Sequence, residues 1–495
     1  MSEFLFHYVR LEPPTWVFLS TLLVVGLFLM FHRFWSLRNL DIMLVLAFTP
    51  GMMMVYEGRQ KAFRESDLES VEPFVSPKVA GLVETPPVGQ GTENGNSQPS
   101  PLPSLVIPDG LSAEFPTQGY WTAKTLLYFG FLWLLVCACL LVIRMLLDTT
   151  IVRRPLLDPN LSSGGMLFLG TSLLIYLMVN IATSNPIEQR RNSPEMGPGY
   201  VLMNALPQIA TTPQESIVDD VQGGGRPSSA KLTLAKILAI GANLTLVFSI
   251  LSIGYWHFGN FKTGVGAATF YLLLPYTAHM TGRVDHVVPS ALLLLAVLMY
   301  RQPFVAGLFL GCAAGAVYYP FSLLPLWCSF YWQRGIRRFT GGFLTAVLAL
   351  VLAVIILHPN TLIQDLRFMF GVKEVAMNGM DGIWGLGWYP IMRIPIIVAF
   401  VLLSLSFVFW PPQKNLATLL SCSAAIMAAT QFWHGFGGGL YMAWYMPLAL
   451  LTVFRPNLDY CNALEVVRSR RKRKLQHPDA SSTGERDVPS SLPAA

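Results

Sequence analysis

The sequence predicts an all-α fold, a polytopic integral membrane helix bundle of about 13 spans. Three observations carry that expectation. Of 495 residues, 53% are hydrophobic and 13% charged, with a mean hydropathy of +0.49, whereas soluble chains carry about 25% charged residues. Apolar runs recur at lengths approaching the roughly 20 residues that cross a bilayer as helix. Lys and Arg gather in alternate short loops, as they do when those loops face the cytoplasm.

The first runs, 15–32 and 40–56, flank a turn carrying Arg33 and Arg38. The first is too long for a signal-peptide core and lacks a small-residue cleavage site, so it reads as a retained anchor. Residues 57–121 are rich in Pro, Gly, Ser and Glu, as in Pro99-Ser100-Pro101-Leu102-Pro103, and read as loosely ordered loop. Spans 122–147 and 164–183 follow, separated by Arg153 and Arg154. A second long polar segment, 184–233, contains Asn185-Pro186-Ile187-Glu188-Gln189-Arg190-Arg191 and the run Gly223-Gly224-Gly225.

Closely spaced spans are then expected at 234–256, 264–279, 287–301, 303–318, 320–333 and 340–357, and later at 394–410, 415–432 and 438–454. Gly307, Gly311 and Gly315 recur every four residues, a spacing that lets helix backbones approach closely. In the loop 358–393, Asn360 or Thr361 caps a helix whose residues Leu362, Ile363, Leu366 and Phe370 share one face. That pattern predicts an amphipathic helix over 361–370 lying on the membrane surface.

Lys262, Arg301, Arg334, Arg337, Arg338, Lys414 and the run Arg468–Lys474 join the earlier basic loops on one side. The N-terminus and long loops then face outward, and the C-terminus is cytoplasmic. The basic run reads as an anchor facing anionic lipid, not as a nucleic-acid contact. Cys137, Cys139, Cys312, Cys328 and Cys422 lie in apolar runs and Cys461 in the tail. No metal-ligand spacing is present, and no cysteine falls in a loop placed outside, so no disulfide is expected.

One turn concentrates chemistry. Thr281-Gly282-Arg283-Val284-Asp285-His286 places a base, an acid and an imidazole between two apolar spans. Charge beside a spanning helix is a functional hypothesis by default. The span 287–301 covers only about 22 Å as helix, less than the roughly 30 Å bilayer core. Its outer end is drawn inward, so an Arg283–Asp285 pair or a polar cavity is expected to receive the charge.

The stretch 243–338 resembles a known family. An aromatic-basic turn, Tyr255-Trp256-His257-Phe258-Gly259-Asn260-Phe261-Lys262, precedes a short span ending at Pro275-Tyr276-Thr277 and then the turn with Asp285. A Leu run from Leu292 to Arg301 leads through Pro303, Gly307 and Gly311 to Tyr318-Tyr319-Pro320 and Leu323-Leu324-Pro325. This order is similar to that of the GT-C superfamily of membrane glycosyltransferases, particularly glycosyltransferase family 87, which uses polyprenyl-phosphate mannose. Family members often carry a Lys before the Tyr-Pro break; here the residues are Gly315-Ala316-Val317-Tyr318, so that Lys has no counterpart.

The resemblance implies N-terminal helices over 1–163, a GT-C-like module over 164–456 and a basic, disordered cytoplasmic tail over 457–495. It implies transfer of a sugar, such as mannose, from a polyprenyl-phosphate donor to an acceptor at the outer face of an inner or plasma membrane. The implied partners are membrane lipid and the lipid-linked sugar, and no cofactor is implied. Inverting transfer wants a carboxylate near the acceptor and cations near the departing phosphate. Asp285 and Glu188 are the expected catalytic acids, with Asp219 and Asp220 as further acids. Arg283, His286, Lys373, Arg393 and His434 are expected to bind substrate, and His358 and Glu374 also face outward. Alternatives are a transporter or flippase for a lipid-linked substrate and a non-catalytic assembly protein. No internal repeat supports transport, and the candidate residues gather at one face.

Overall fold

The structure, a computed structural model, describes residues 13–62, 122–151, 157–184, 186–187, 203, 206–209, 211, 229–333, 335–357, 382–435 and 440–458. The described chain is helical apart from one short antiparallel pairing of Pro186–Ile187 with Gln208–Ile209. Its helices are α1 (Pro13–Phe28), α2 (Leu37–Ala62), α3 (Ala123–Leu147), α4 (Ser163–Thr183), α5 (Ser229–Trp256), α6 (Phe261–Leu273) and α7 (Pro275–Met280). They continue with α8 (Val284–Leu298), α9 (Pro303–Ala316), α10 (Leu324–Tyr331), α11 (Ile336–Leu357), α12 (Arg393–Ser406), α13 (Leu416–Ala429) and α14 (Met446–Phe454).

Every expected interval holds a helix, but the helices fall into two kinds. Five are long and apolar enough to cross a membrane: Leu37–Ala62, Ala123–Thr150, Ser163–Thr183, Ser229–Trp256 and Ile336–Ala353. The others are shorter, with 15 residues in α8, 14 in α9 and in α13, and 9 in α14. Burial accounts for the shortness of α13 and α14, whereas α1 and α12 are short and yet expose apolar side chains such as Phe18, Leu22, Val398 and Leu402. All of α13 and α14 is buried. The long helices instead turn apolar side chains outward, such as Phe129, Trp133, Val136 and Leu140 on α3 and Leu344, Leu348 and Leu352 on α11. A helix enclosed by others needs no lipid-matched length, because its neighbours supply the apolar surroundings.

The expected span 264–279 is broken at Pro275, which begins α7 and brings no backbone donor. The Thr277 hydroxyl compensates by donating to the Tyr271 carbonyl at 2.6 Å. The glycine stripe of α9 does pack. A Cβ at Gly307 would sit 2.1 Å from the Phe339 carbonyl oxygen of α11, and one at Gly311 2.6 Å from that of Phe343. Gly342 returns the contact, its Cβ position 2.0 Å from the Phe304 oxygen.

One end of the bundle is tied by buried charge. Arg144 donates to both oxygens of Asp41, at 2.5 and 2.8 Å, and to Asp148 at 3.2 Å. Arg455, just after α14, closes on the other Asp148 oxygen at 2.6 Å. Arg38 binds the Phe28 carbonyl at the end of α1 and the Asp158 carbonyl, at 2.8 and 2.6 Å. Lys262 reaches the Asp158 carboxylate at 2.7 Å. None of the charged groups Asp41, Arg144 or Asp148 is a feature of the expected site. The segment 361–370, expected as a surface helix, lies outside the described residues.

Candidate functional site

The opposite end of α14 leads to the turn singled out in the sequence. Described parts of 184–233 pack on that turn. A Cβ at Gly282 would meet the Ile209 carbonyl oxygen at 2.5 Å, so a side chain there would displace the short sheet. The Thr211 hydroxyl donates to the His279 carbonyl at 2.6 Å, and Asn180 donates to the Thr211 carbonyl at 3.0 Å. From below, Asn243 of α5 donates to the Thr281 carbonyl at 3.0 Å. The turn is thereby held by the 209–211 segment and by α5, and Asn180 of α4 in turn holds that segment.

Asp285 occupies the first turn of α8, where a negative charge complements the helix dipole. Arg283 directs Nε and Nη2 at its two oxygens, 3.4 Å each, and His286 Nε2 lies 3.6 Å from Oδ2. The Asp285 side chain is 5% exposed and that of Arg283 26%, so the pair bridges interior and surface. The internal Arg283–Asp285 pair expected from the short span is present. Its contacts are long for hydrogen bonds.

Aromatic rings surround this group. Tyr276 OH meets His286 Nδ1 at 2.6 Å. Tyr441 stacks on the His286 ring at 4.4 Å and on Trp444 at 4.3 Å. The Trp444 indole donates to the Asp285 carbonyl at 3.2 Å. His434 packs edge-on to Tyr441 at 4.8 Å, and its Nδ1 is hydrogen-bonded to the Tyr319 hydroxyl. Arg393, at the start of α12, donates through Nε and Nη2 to the Trp433 carbonyl at 3.0 and 2.8 Å.

The structure therefore gathers Arg283, Asp285, His286, His434 and Arg393 around one aromatic cluster. His434, expected at an outward-facing mouth, is instead 1% exposed. The glycine-rich turn after it had suggested an open approach, yet Tyr319, Tyr441 and Trp444 close over its ring. Glu188, Lys373, Asp219, Asp220, His358 and Glu374 lie outside the described residues. Among those described, no group of three or more His, Cys, Asp or Glu side chains is arranged to hold a metal ion.

Tyr276, Tyr319, Tyr441 and Trp444 escaped the sequence reading. Tyr276 and Tyr319 stood in stretches read only as breaks beside proline, and aromatic residues near membrane ends are common enough to attract no role. The described site holds two guanidinium groups against one carboxylate, a surplus of one positive charge with both imidazoles neutral. Such a set can take a proton at Asp285 and neutralise an anionic leaving group. Comparison with family models, curated proteins and solved structures finds no match to this chain.

Proposed function

We propose that this chain is an integral membrane glycosyltransferase of the GT-C type, transferring a sugar from a polyprenyl-phosphate donor to an acceptor at the outer face. The observation that carries the reading is the convergence of Asp285 with Arg283, His286, His434 and Arg393 at one end of a helical bundle. In this reading about 13 passes place the N-terminus outside and the C-terminus in the cytoplasm. The grouping of Arg38, Lys262 and Arg455 at the other end supports that orientation.

Asp285 removes the acceptor hydroxyl proton as the acceptor oxygen bonds to the anomeric carbon. The bond from that carbon to the phosphate oxygen breaks, and the lipid phosphate departs with the electron pair. Arg283 and Arg393 offset the charge that develops on it. A second reading, a transporter or flippase for a lipid-linked substrate, is favoured by one observation: α6 and α7 break at Pro275 directly beside Tyr276 and His286.

Purified full-length protein in detergent, given polyprenyl-phosphate mannose, separates the two readings, since detergent leaves no second compartment. A transferase releases the sugar, by hydrolysis or onto an added acceptor. Asp285→Asn is expected to lower that turnover by roughly a hundredfold or more with folding intact. Undiminished turnover by the variant removes the base role of Asp285, and movement of lipid-linked sugar across vesicles with no turnover at all defeats the transferase reading.

A further inference from the structure

The two histidines of the site share one hydrogen-bond arrangement, built on different elements. The Tyr318 hydroxyl donates to the Tyr319 oxygen at 3.0 Å, which leaves the single Tyr319 proton directed at His434 Nδ1. Tyr276 repeats the arrangement. Its hydroxyl lies 2.6 Å from His286 Nδ1, and the other nitrogen of that ring, Nε2, faces the Asp285 carboxylate, which can only accept, so the proton of the Tyr276 contact is the tyrosine's. A neutral imidazole has one donor and one acceptor nitrogen. With Nδ1 accepting, the ring proton resides on Nε2 in both residues.

The consequence at His286 is a matched contact. Its Nε2–H faces Asp285 Oδ2 at 3.6 Å, a donor against a carboxylate. The other tautomer would set a lone pair against that carboxylate. Tyr441 holds the two rings in fixed planes, stacked on one and edge-on to the other. Neither ring is therefore set up as a proton acceptor at Nε2. Both offer a donor, in a site whose described charges sum to plus one.

We propose that Tyr276 and Tyr319 are positioning residues that lock His286 and His434 as Nε2–H tautomers, making both imidazoles donors to a phosphate-bearing ligand. The ligand class rests on the functional reading above; the tautomers do not. A phosphoryl group offers only acceptor oxygens, which suits two fixed donors flanked by guanidinium groups.

The test is nitrogen NMR of the full chain, labelled with 15N-histidine, in lipid nanodiscs at pH 7. Spectra of His286→Gln and His434→Gln assign the two rings. Both should show a protonated Nε2 and a bare Nδ1. Tyr276→Phe should release His286 alone into a mixture of tautomers, and Tyr319→Phe His434 alone. Adding a polyprenyl phosphate should shift both Nε2 signals. Inorganic phosphate, added separately, shows whether the phosphoryl group suffices or the lipid is required. An Nδ1–H ring in the wild type overturns the proposal, a result that needs no variant to fold. Phe variants with wild-type tautomers remove the positioning role, and Nε2 signals indifferent to both phosphates remove the ligand. Missing sugar turnover with these signals intact would sink the transferase reading alone.

Discussion

Replacing Arg455 by Met tests whether the buried ion network holds the two ends of the chain together. Arg455 Nη2 sits 2.6 Å from Asp148 Oδ2, with the two side chains 6% and 0% exposed. Removing one partner of a buried pair costs about 3–5 kcal/mol, because the other charge stays buried. Asp148 here retains Arg144 at 3.2 Å, so the loss should lie near the lower bound, about 3 kcal/mol. Removing both charges, Asp148→Leu with Arg455→Met, leaves no orphan. Arg144 keeps its two bonds to Asp41, and the double variant should recover a large part of the loss. The resulting coupling should be about 1–3 kcal/mol. Unfolding in mixed micelles by rising SDS, followed by tryptophan fluorescence, measures all four corners of the cycle. A single variant within about 0.5 kcal/mol of wild type, or a double variant losing the sum of the singles, would refute the reasoning.

Three further outcomes are expected. At Gly307, a Cβ must move from 2.1 Å to at least 3.0 Å from the Phe339 oxygen, so Gly307→Ala should part α9 and α11 by roughly 0.9 Å and destabilise by about 1–3 kcal/mol. Adding Gly342→Ala should cost less than its own single effect, since one separation relieves both contacts; full additivity in the same SDS titration would contradict this. His257, in the turn after α5, donates through Nε2 to the Leu298 carbonyl at 2.8 Å, and its Nδ1 has no hydrogen-bond partner among the described residues. Burial pushes its pKa down to about 4, with Arg301 adding to the fall and the Leu298 contact opposing it. The unfolded ring takes up a proton near its ordinary 6.5 while the folded ring does not. Stability should thus be intact above about pH 6.5 and decline as pH falls towards 4; His257→Asn should flatten that part of a stability profile. In a cysteine-free background, an impermeant thiol reagent applied to intact cells should label a cysteine placed in 63–121, beyond the end of α2, and spare Gln333→Cys and Leu475→Cys. Labelling of Leu475→Cys would reverse the proposed orientation.

Hydropathy located the helices well because lipid and protein interior demand the same apolar side chains. For that same reason it could not tell α13 and α14, wholly enclosed, from helices that meet lipid. The Arg283–Asp285 pair was legible from the shortness of the span that follows it. Its aromatic surroundings were not, because Tyr441 and Trp444 lie about 160 residues further on, and no periodicity links them to α8. Asp41, Arg144 and Asp148 look in sequence like ordinary charges near membrane ends. Only the packing of α2 on α3, which brings Asp41 to Arg144, and the return of the chain at Arg455 show that they belong to one network.

That network also carries a timetable. Asp148 and Arg455 are 307 residues apart. At about 5–20 residues per second, α3 leaves the ribosome roughly 15–60 s before the residue that completes its polar end. Asp41 has by then already emerged, and Arg144, one helical turn before Asp148, reaches both carboxylates. Arg144 is thus a provisional counter-charge, able to escort two acids through insertion while the remaining helices are still being made. Arg455 arrives last and takes up the oxygen that Arg144 leaves over. Chains ending before Arg455 should therefore enter the bilayer and remain open at this end, a substrate for quality control and not for assembly.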